Sequence, residues 1–150
     1  MPDVDPVPPH LGTVTPRLVV RDGAGAIDFY SRAFGAVELG ERFTGPSGEV
    51  IHAEVRIADS VVMITEDAED APARAPDGAC TALMATYWED VDAAWSRAVG
   101  AGAEVIYDLA DQFYGERGGR VRDPFGHQWM LSMRTEELTS DEIDRRASRG

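Results

Sequence analysis

The order of elements in this chain repeats, and that repetition restricts the fold more than any other feature. In the first half VTPRLVV alternates as a strand and Asp22 and Gly23 turn the chain. AIDFYSRAFG then sets Ile27, Tyr30 and Phe34 on one helical face before a stop at Gly35. Three strand-like runs follow, VELGERF, EVIHAEVRI and SVVMIT, parted by Gly45-Pro46-Ser47-Gly48 and by Ala58-Asp59. After a break the order recurs. TALMATYW reads as a strand, Asp90 as an N-cap, and Val91, Ala94, Trp95, Ala98 and Val99 fall at helical spacing. AEVIYDLA, RGGRVRD and HQWMLSM supply three more strands. The letters echo as well: Arg32-Ala33-Phe34-Gly35-Ala36-Val37-Glu38 and Arg97-Ala98-Val99-Gly100-Ala101-Gly102-Ala103-Glu104 stand at the same helix-to-strand junction, as a duplication would leave them. The predicted class is α+β, built from two βαβββ modules.

The boundaries follow from the segments that lack this periodicity. Residues 1–12 carry four prolines and two aspartates and read as a mobile arm, with too little apolar surface to offset the entropy of ordering. The first module spans 13–65, an acidic, Ala- and Pro-rich linker 66–80, and the second module 81–133. In the tail, 134–150, Thr139 and Glu142 fit a capping box that opens a short, polar, peripheral helix.

Composition narrows the function classes. A chain of 150 residues can bury roughly 70% of its unfolded surface and needs no disulfide or metal staple. Its one cysteine, Cys80 in TACTAL, has no basic neighbour to activate it and reads as a small buried hydrophobe. Fourteen basic residues, all arginine, stand against 27 acidic ones, and the net charge of -13 would repel a nucleic-acid backbone. No stretch approaches the ~20 apolar residues of a membrane span. MPDVDPVPPH lacks a basic n-region and an apolar run, so a cytoplasmic protein is expected.

Two paired modules in this order, with AIDFYSRAFGA after the first strand and RDPFGHQW before the last, resemble the vicinal oxygen chelate superfamily of glyoxalase I, bleomycin- and fosfomycin-resistance proteins and extradiol dioxygenases. The resemblance covers 13–133. HAEVRIADSVVMITED, DQFYGERGGRVRDPFGHQW and EELTSDEI are further similar to its PhnB-like branch. The resemblance implies a cupped eight-stranded mixed sheet with helices outside and a ligand cavity inside. It also implies a homodimer, since a symmetric partner would cover the open half-barrel edges. The positions that hold metal in the metal-dependent members would fall on Thr15, Met63, Leu83 and Met130. These offer a neutral hydroxyl, two thioethers and an aliphatic group, poor partners for a hard or borderline divalent ion, so neither metal nor cofactor is expected.

Strand alternation sorts the side chains that would line such a cup. Thr15 and Arg17 share a face of the first strand, and His52, Glu54 and Arg56 a face of the third, opposite Ile51, Ala53, Val55 and Ile57. Met63, Leu83, Tyr87, Gln128 and Met130 join the lining set. Phe113 and Tyr114 lie beside glycines in a loop and form either an aromatic wall over a ligand or a β-bulge covering the second core. Arg120 and Arg122 alternate with Val121 and either anchor an anionic group or pair with Glu54. Trp95 and Trp129 are expected in the core.

Two functional readings result. In the first, the protein is glyoxalase- or bleomycin-resistance-like and binds a small organic molecule in the cup, without the metal. In the alternative it is a metal-independent or atypically metallated isomerase or lyase, with Glu54 as general base oriented by His52. His52, Glu54 and His127 form a set that a metal would need on paper, against a structural hydrogen bond between His52, Glu54 and nearby arginines. Whether any reaction is catalysed stays open at this point.

Overall fold

A computed structural model of the chain describes residues 3–150; the first two residues of the expected arm lie outside the described residues. The strands are β1 Arg17–Val20, β2 Val37–Thr44, β3 Val50–Ile57, β4 Ser60–Glu66, β5 Leu83–Tyr87, β6 Glu104–Asp111, β7 Glu116–Arg122 and β8 Gln128–Arg134. Helix α1 spans Gly23–Phe34, α2 Val91–Ala101 and α3 Ser140–Ala147. The chain divides into two compact units at Asp77 and Gly78. Each βαβββ module forms its own four-stranded mixed sheet, in the orders β1-β4-β3-β2 and β5-β8-β7-β6.

Each helix begins where its sequence supplies an acceptor for free backbone N–H groups. The Asp22 carboxylate accepts from Gly25 N at 2.9 Å, and that of Asp90 from Ala93 N at 3.0 Å. Helix α1 buries Ile27, Phe29, Tyr30 and Phe34 in the first core with Val20, Val55 and Ile64. The second core holds Val91, Ala98, Val121, Trp129 and Leu131. There α2 approaches β7 so closely that a Cβ on Gly119 would stand 2.7 Å from the Trp95 ring. Glycine is required at that crossing, where any side chain would push the ring outward.

The ladders bring one row of side chains across each sheet. Pairing places Arg17 opposite Met63, Met63 opposite Glu54 and Glu54 opposite Leu39. In the second sheet Ala85 faces Met130, Met130 faces Arg120, and Arg120 faces Tyr107. Met63 and Met130 are therefore equivalent in the duplication, and so are Glu54 and Arg120.

Three positions differ from simple alternation. Strand β1 begins at Arg17, so Thr15 precedes the ladder. Pro16 has no N–H to continue it, although its carbonyl accepts from Met63 N at 2.9 Å. Ile51, expected on the helix side, is 39% exposed, while Val50 is buried. Phe43 pairs with His52 and Thr44 with Val50, so Ile51 is the extra residue of a bulge and turns outward. Val99, expected on the buried face of α2, is exposed. Among the described residues no helix is long and apolar enough to cross a membrane.

The turn before β8 is organised by a buried carboxylate. Asp123 is 3% exposed, and its Oδ1 accepts from Phe125 N at 2.9 Å and His127 N at 3.0 Å. Its Oδ2 accepts from the Trp129 indole at 2.9 Å. Three donors thus offset the cost of burying the group. Asp123→Ala should destabilise the protein by about 3 kcal/mol in urea denaturation at neutral pH, and Trp129→Phe, which removes the indole donor, by about 1–3 kcal/mol. A loss under ~1 kcal/mol for the alanine variant would contradict this role for the turn.

Candidate functional site

Helix α2 seals one face of the second sheet, and a cavity of about 290 Å³ opens on the other. Its centre is the row Tyr107, Arg120 and Met130, with Tyr114 and Gln112 from the β6–β7 hairpin and Ser132 beyond Met130. The Arg120 guanidinium lies over the Tyr107 ring, 5.2 Å from its centroid, within cation–π range. Tyr107 reaches this face because of a second bulge: Val105 pairs with Val121 but Tyr107 with Arg120, leaving Ile106 as the extra residue.

Of the residues expected to line a cup, this cavity gathers Tyr114, Arg120 and Met130. The others in this module stand elsewhere. Arg122 pairs with Glu104 at 3.1 Å across the ladder. The Tyr87 hydroxyl donates to Glu116 at 2.8 Å, a bond that raises the phenol above its ordinary range. Phe113, Leu83 and Gln128 are not in the cavity wall. Phe113 instead meets Tyr114 edge-to-face at 5.2 Å. Tyr107 and Gln112 are outside the expected set. Ser132 shares a strand face with Met130 and was legible by alternation, whereas the bulge hid Tyr107.

The hairpin carrying Tyr114 is held by the tail. Gly115 carbonyl accepts from Thr135 N at 2.9 Å and Glu136 N at 3.1 Å. Arg146 of α3 donates to the Phe113 carbonyl at 3.3 Å and to Glu136 at 2.6 Å. Gly115 has φ +83°, and a Cβ there would stand 3.0 Å from Leu138, so glycine is needed both for the turn and for the approach of the tail. Thr139 caps α3 by accepting from Glu142 N at 3.2 Å, as the capping box predicts. The tail helix buries no side chain, yet it supports the wall of the cavity.

In the first module the row is occupied differently. Arg17 donates to the Ile51 carbonyl at 3.0 Å. The Glu54 side chain, 17% exposed, has one oxygen 2.6 Å from His10 Nε2 and the other 3.3 Å from His52 Nε2. The imidazole joining His52 at Glu54 is thus that of His10, from the segment read as an arm. His127 is held through its backbone in the Asp123 turn. The hydrogen bond from His10, and a weaker one from His52, hold the Glu54 carboxyl below the ordinary glutamate range. That shift lowers its basicity at the position proposed for a general base.

The metal of the metal-dependent family members is not matched by the groups present. Met63 and Met130 occupy equivalent row centres, Leu83 pairs with Gln128, and Thr15 precedes its strand. Among the described residues no three His, Cys, Asp or Glu side chains are arranged to hold a metal ion. At Glu54 the two imidazoles take separate carboxylate oxygens.

The Glu54 cluster makes a pH prediction. Because the folded-state pKa is lowered, its contribution to stability is present above the unfolded value near 4.5 and is lost as pH falls through the folded value. Denaturation midpoints of wild type and Glu54→Gln should therefore differ at neutral pH and converge as the pH is lowered below about 4.5, and His10→Ala should remove most of the difference. A gap between the two proteins that stays constant over this range would contradict it.

Comparison with known proteins places these features in a family. The model of the Glyoxalase/Bleomycin resistance protein/Dioxygenase superfamily matches residues 9–131. An uncharacterised protein of Mycobacterium bovis is 44% identical over 135 residues, covering 87% of this chain and 88% of that one. The crystal structure of TioX from Micromonospora superposes with a TM-score of 0.63 at 26% identity, over 85% of this chain and all of the other. A PhnB protein from Bacillus cereus shares the fold with a TM-score of 0.60 at 18% identity, over 81% and 99% of the two chains. With two βαβββ modules, a family match over most of its length and these relatives, the chain belongs to the glyoxalase/bleomycin resistance/dioxygenase superfamily.

Proposed function

We propose that this protein binds a small organic molecule on the open face of its second module, without the divalent metal used by metal-dependent members of the superfamily. The observation that carries this reading is the cavity walled by Tyr107 and Tyr114 around the Arg120–Met130 row. Its volume, about 290 Å³, lies just below the ~300–1,000 Å³ typical of small-molecule sites and suits a small guest. Aromatic walls supply contact area at little entropic cost, and a few polar groups orient the guest. At Met130, where the resemblance implies a metal ligand, a thioether is a poor donor for a hard or borderline divalent ion. Catalysis by Glu54 is the weaker reading, since both carboxylate oxygens are engaged and the group is a poorer base for it.

The test is a thermal-shift and native mass-spectrometry screen of small neutral and anionic aromatic compounds, run in EDTA. At least one compound should raise the melting temperature, and the shift should survive chelation because no metal participates. Tyr114→Ala should weaken that binding about tenfold, as loss of an aromatic anchor does. No shift across the panel, or a shift abolished by EDTA, would overturn the reading.

We also propose that the functional form is a homodimer. Val37 and Phe43 on the edge strand β2, Tyr87 on the edge strand β5 and Phe113 in the β6–β7 turn are exposed large apolar or aromatic groups, and a symmetric partner would cover them together with the open strand edges. Sedimentation equilibrium at micromolar concentration should give about twice the chain mass of 16.3 kDa. A mass equal to that of one chain would refute it.

A further inference from the structure

We infer that the second-module cavity is an anion site, and that its ligand is a small planar carboxylate held by Arg120. The inference rests on the ligand-binding reading of this cavity and specifies the chemistry of the guest. Three observations support it. The chain has 27 acidic residues against 14 basic ones, yet the one charged side chain in the cavity wall is Arg120, and no acidic residue lines it. The buried Nε of Arg120 has no hydrogen-bond partner, and no other buried side-chain nitrogen or oxygen among the described residues is in that position. The hydroxyl of Ser132, on the same wall, likewise makes no hydrogen bond to the described residues, so a second donor is available.

The duplication accounts for the vacant donor. In the first module the equivalent position is Glu54, and it is saturated by His10 and His52. In the second the exchange to arginine puts a cation between Met130 and Tyr107, neither of which is an acceptor suited to neutralise it. Arg122, two residues on, has its carboxylate partner in Glu104. A guanidinium presents Nε–H and one Nη–H as a planar fork that matches the two oxygens of a carboxylate. The Tyr107 ring holds one face of that plane, which leaves the edge for the ligand and favours a guest whose carboxylate continues into a flat body between the tyrosines. The net charge of -13 opposes an anion little at this site, because physiological salt screens charges more than about 8 Å away. Since Nε is shielded in the free protein, a guest must draw the fork toward the cavity as it binds.

The test uses benzoate as the planar carboxylate and benzamide as its neutral isostere, titrated into the full-length protein and followed by arginine Nε–H resonances in ¹H–¹⁵N spectra. Benzoate should shift the Arg120 Nε–H signal saturably and bind at least tenfold more tightly than benzamide. Arg120→Leu should abolish this preference, and Arg120→Lys, which keeps the charge but loses the fork, should retain only part of it. Equal binding of the two probes, or unchanged benzoate affinity in Arg120→Leu, would overturn the anion site while leaving a small-molecule cavity in place. Failure of both probes to bind wild type would overturn the anion site and count against the cavity reading as well.

Discussion

Everything specific about this protein depends on the packing of one helix against one face of each four-stranded sheet. A sheet of this size needs one covered face to be stable, and α1 and α2 bury the apolar alternate residues there. The opposite face is then released from the demands of the core. Arg17, Glu54, Arg120 and Met130 can occupy it because Val55, Val121 and Trp129 take the other side. The close contact of Trp95 with Gly119 shows how tightly the covered face is constrained and why the open one carries the chemistry.

The two modules present two copies of that open face, and the copies differ in charge. Glu54 and Arg120 hold equivalent places beside equivalent methionines. The first is a carboxylate with both oxygens engaged; the second is a guanidinium stacked on a ring with a donor left over. The same backbone therefore presents a saturated polar cluster in one module and an unsatisfied one in the other. A buried donor without an acceptor is costly enough that such groups are rare in folded proteins, and a site that receives a ligand is one place where the cost is recovered.

Segments outside the repeats complete both faces. His10, from the proline-rich start of the chain, closes on Glu54, and the tail pins the hairpin that carries Tyr114 through Thr135, Glu136 and Arg146. Neither contact involves much apolar burial. These are polar attachments on modest areas, the class of contact that opens at low free energy relative to the core.

The sequence by itself determined the element order, the α+β class, the caps at Asp90 and Thr139, and the superfamily, because these are local patterns or contiguous motifs. It also determined that Met63, Leu83 and Met130 are poor metal donors, since that is a property of residue type. Alternation located Glu54, Arg120 and Met130 on polar faces. Tertiary structure alone decided the rest. Bulges at Ile51 and Ile106 interrupt alternation, so the exposure of Ile51 and the place of Tyr107 beside Arg120 depend on cross-strand register. The pairing of His10 with Glu54 joins residues 44 positions apart, and the support of Phe113 by Arg146 spans 33. No local pattern encodes either contact: each exists only because the folded sheets bring distant backbone together, and the partner of a polar side chain is set by that proximity in space.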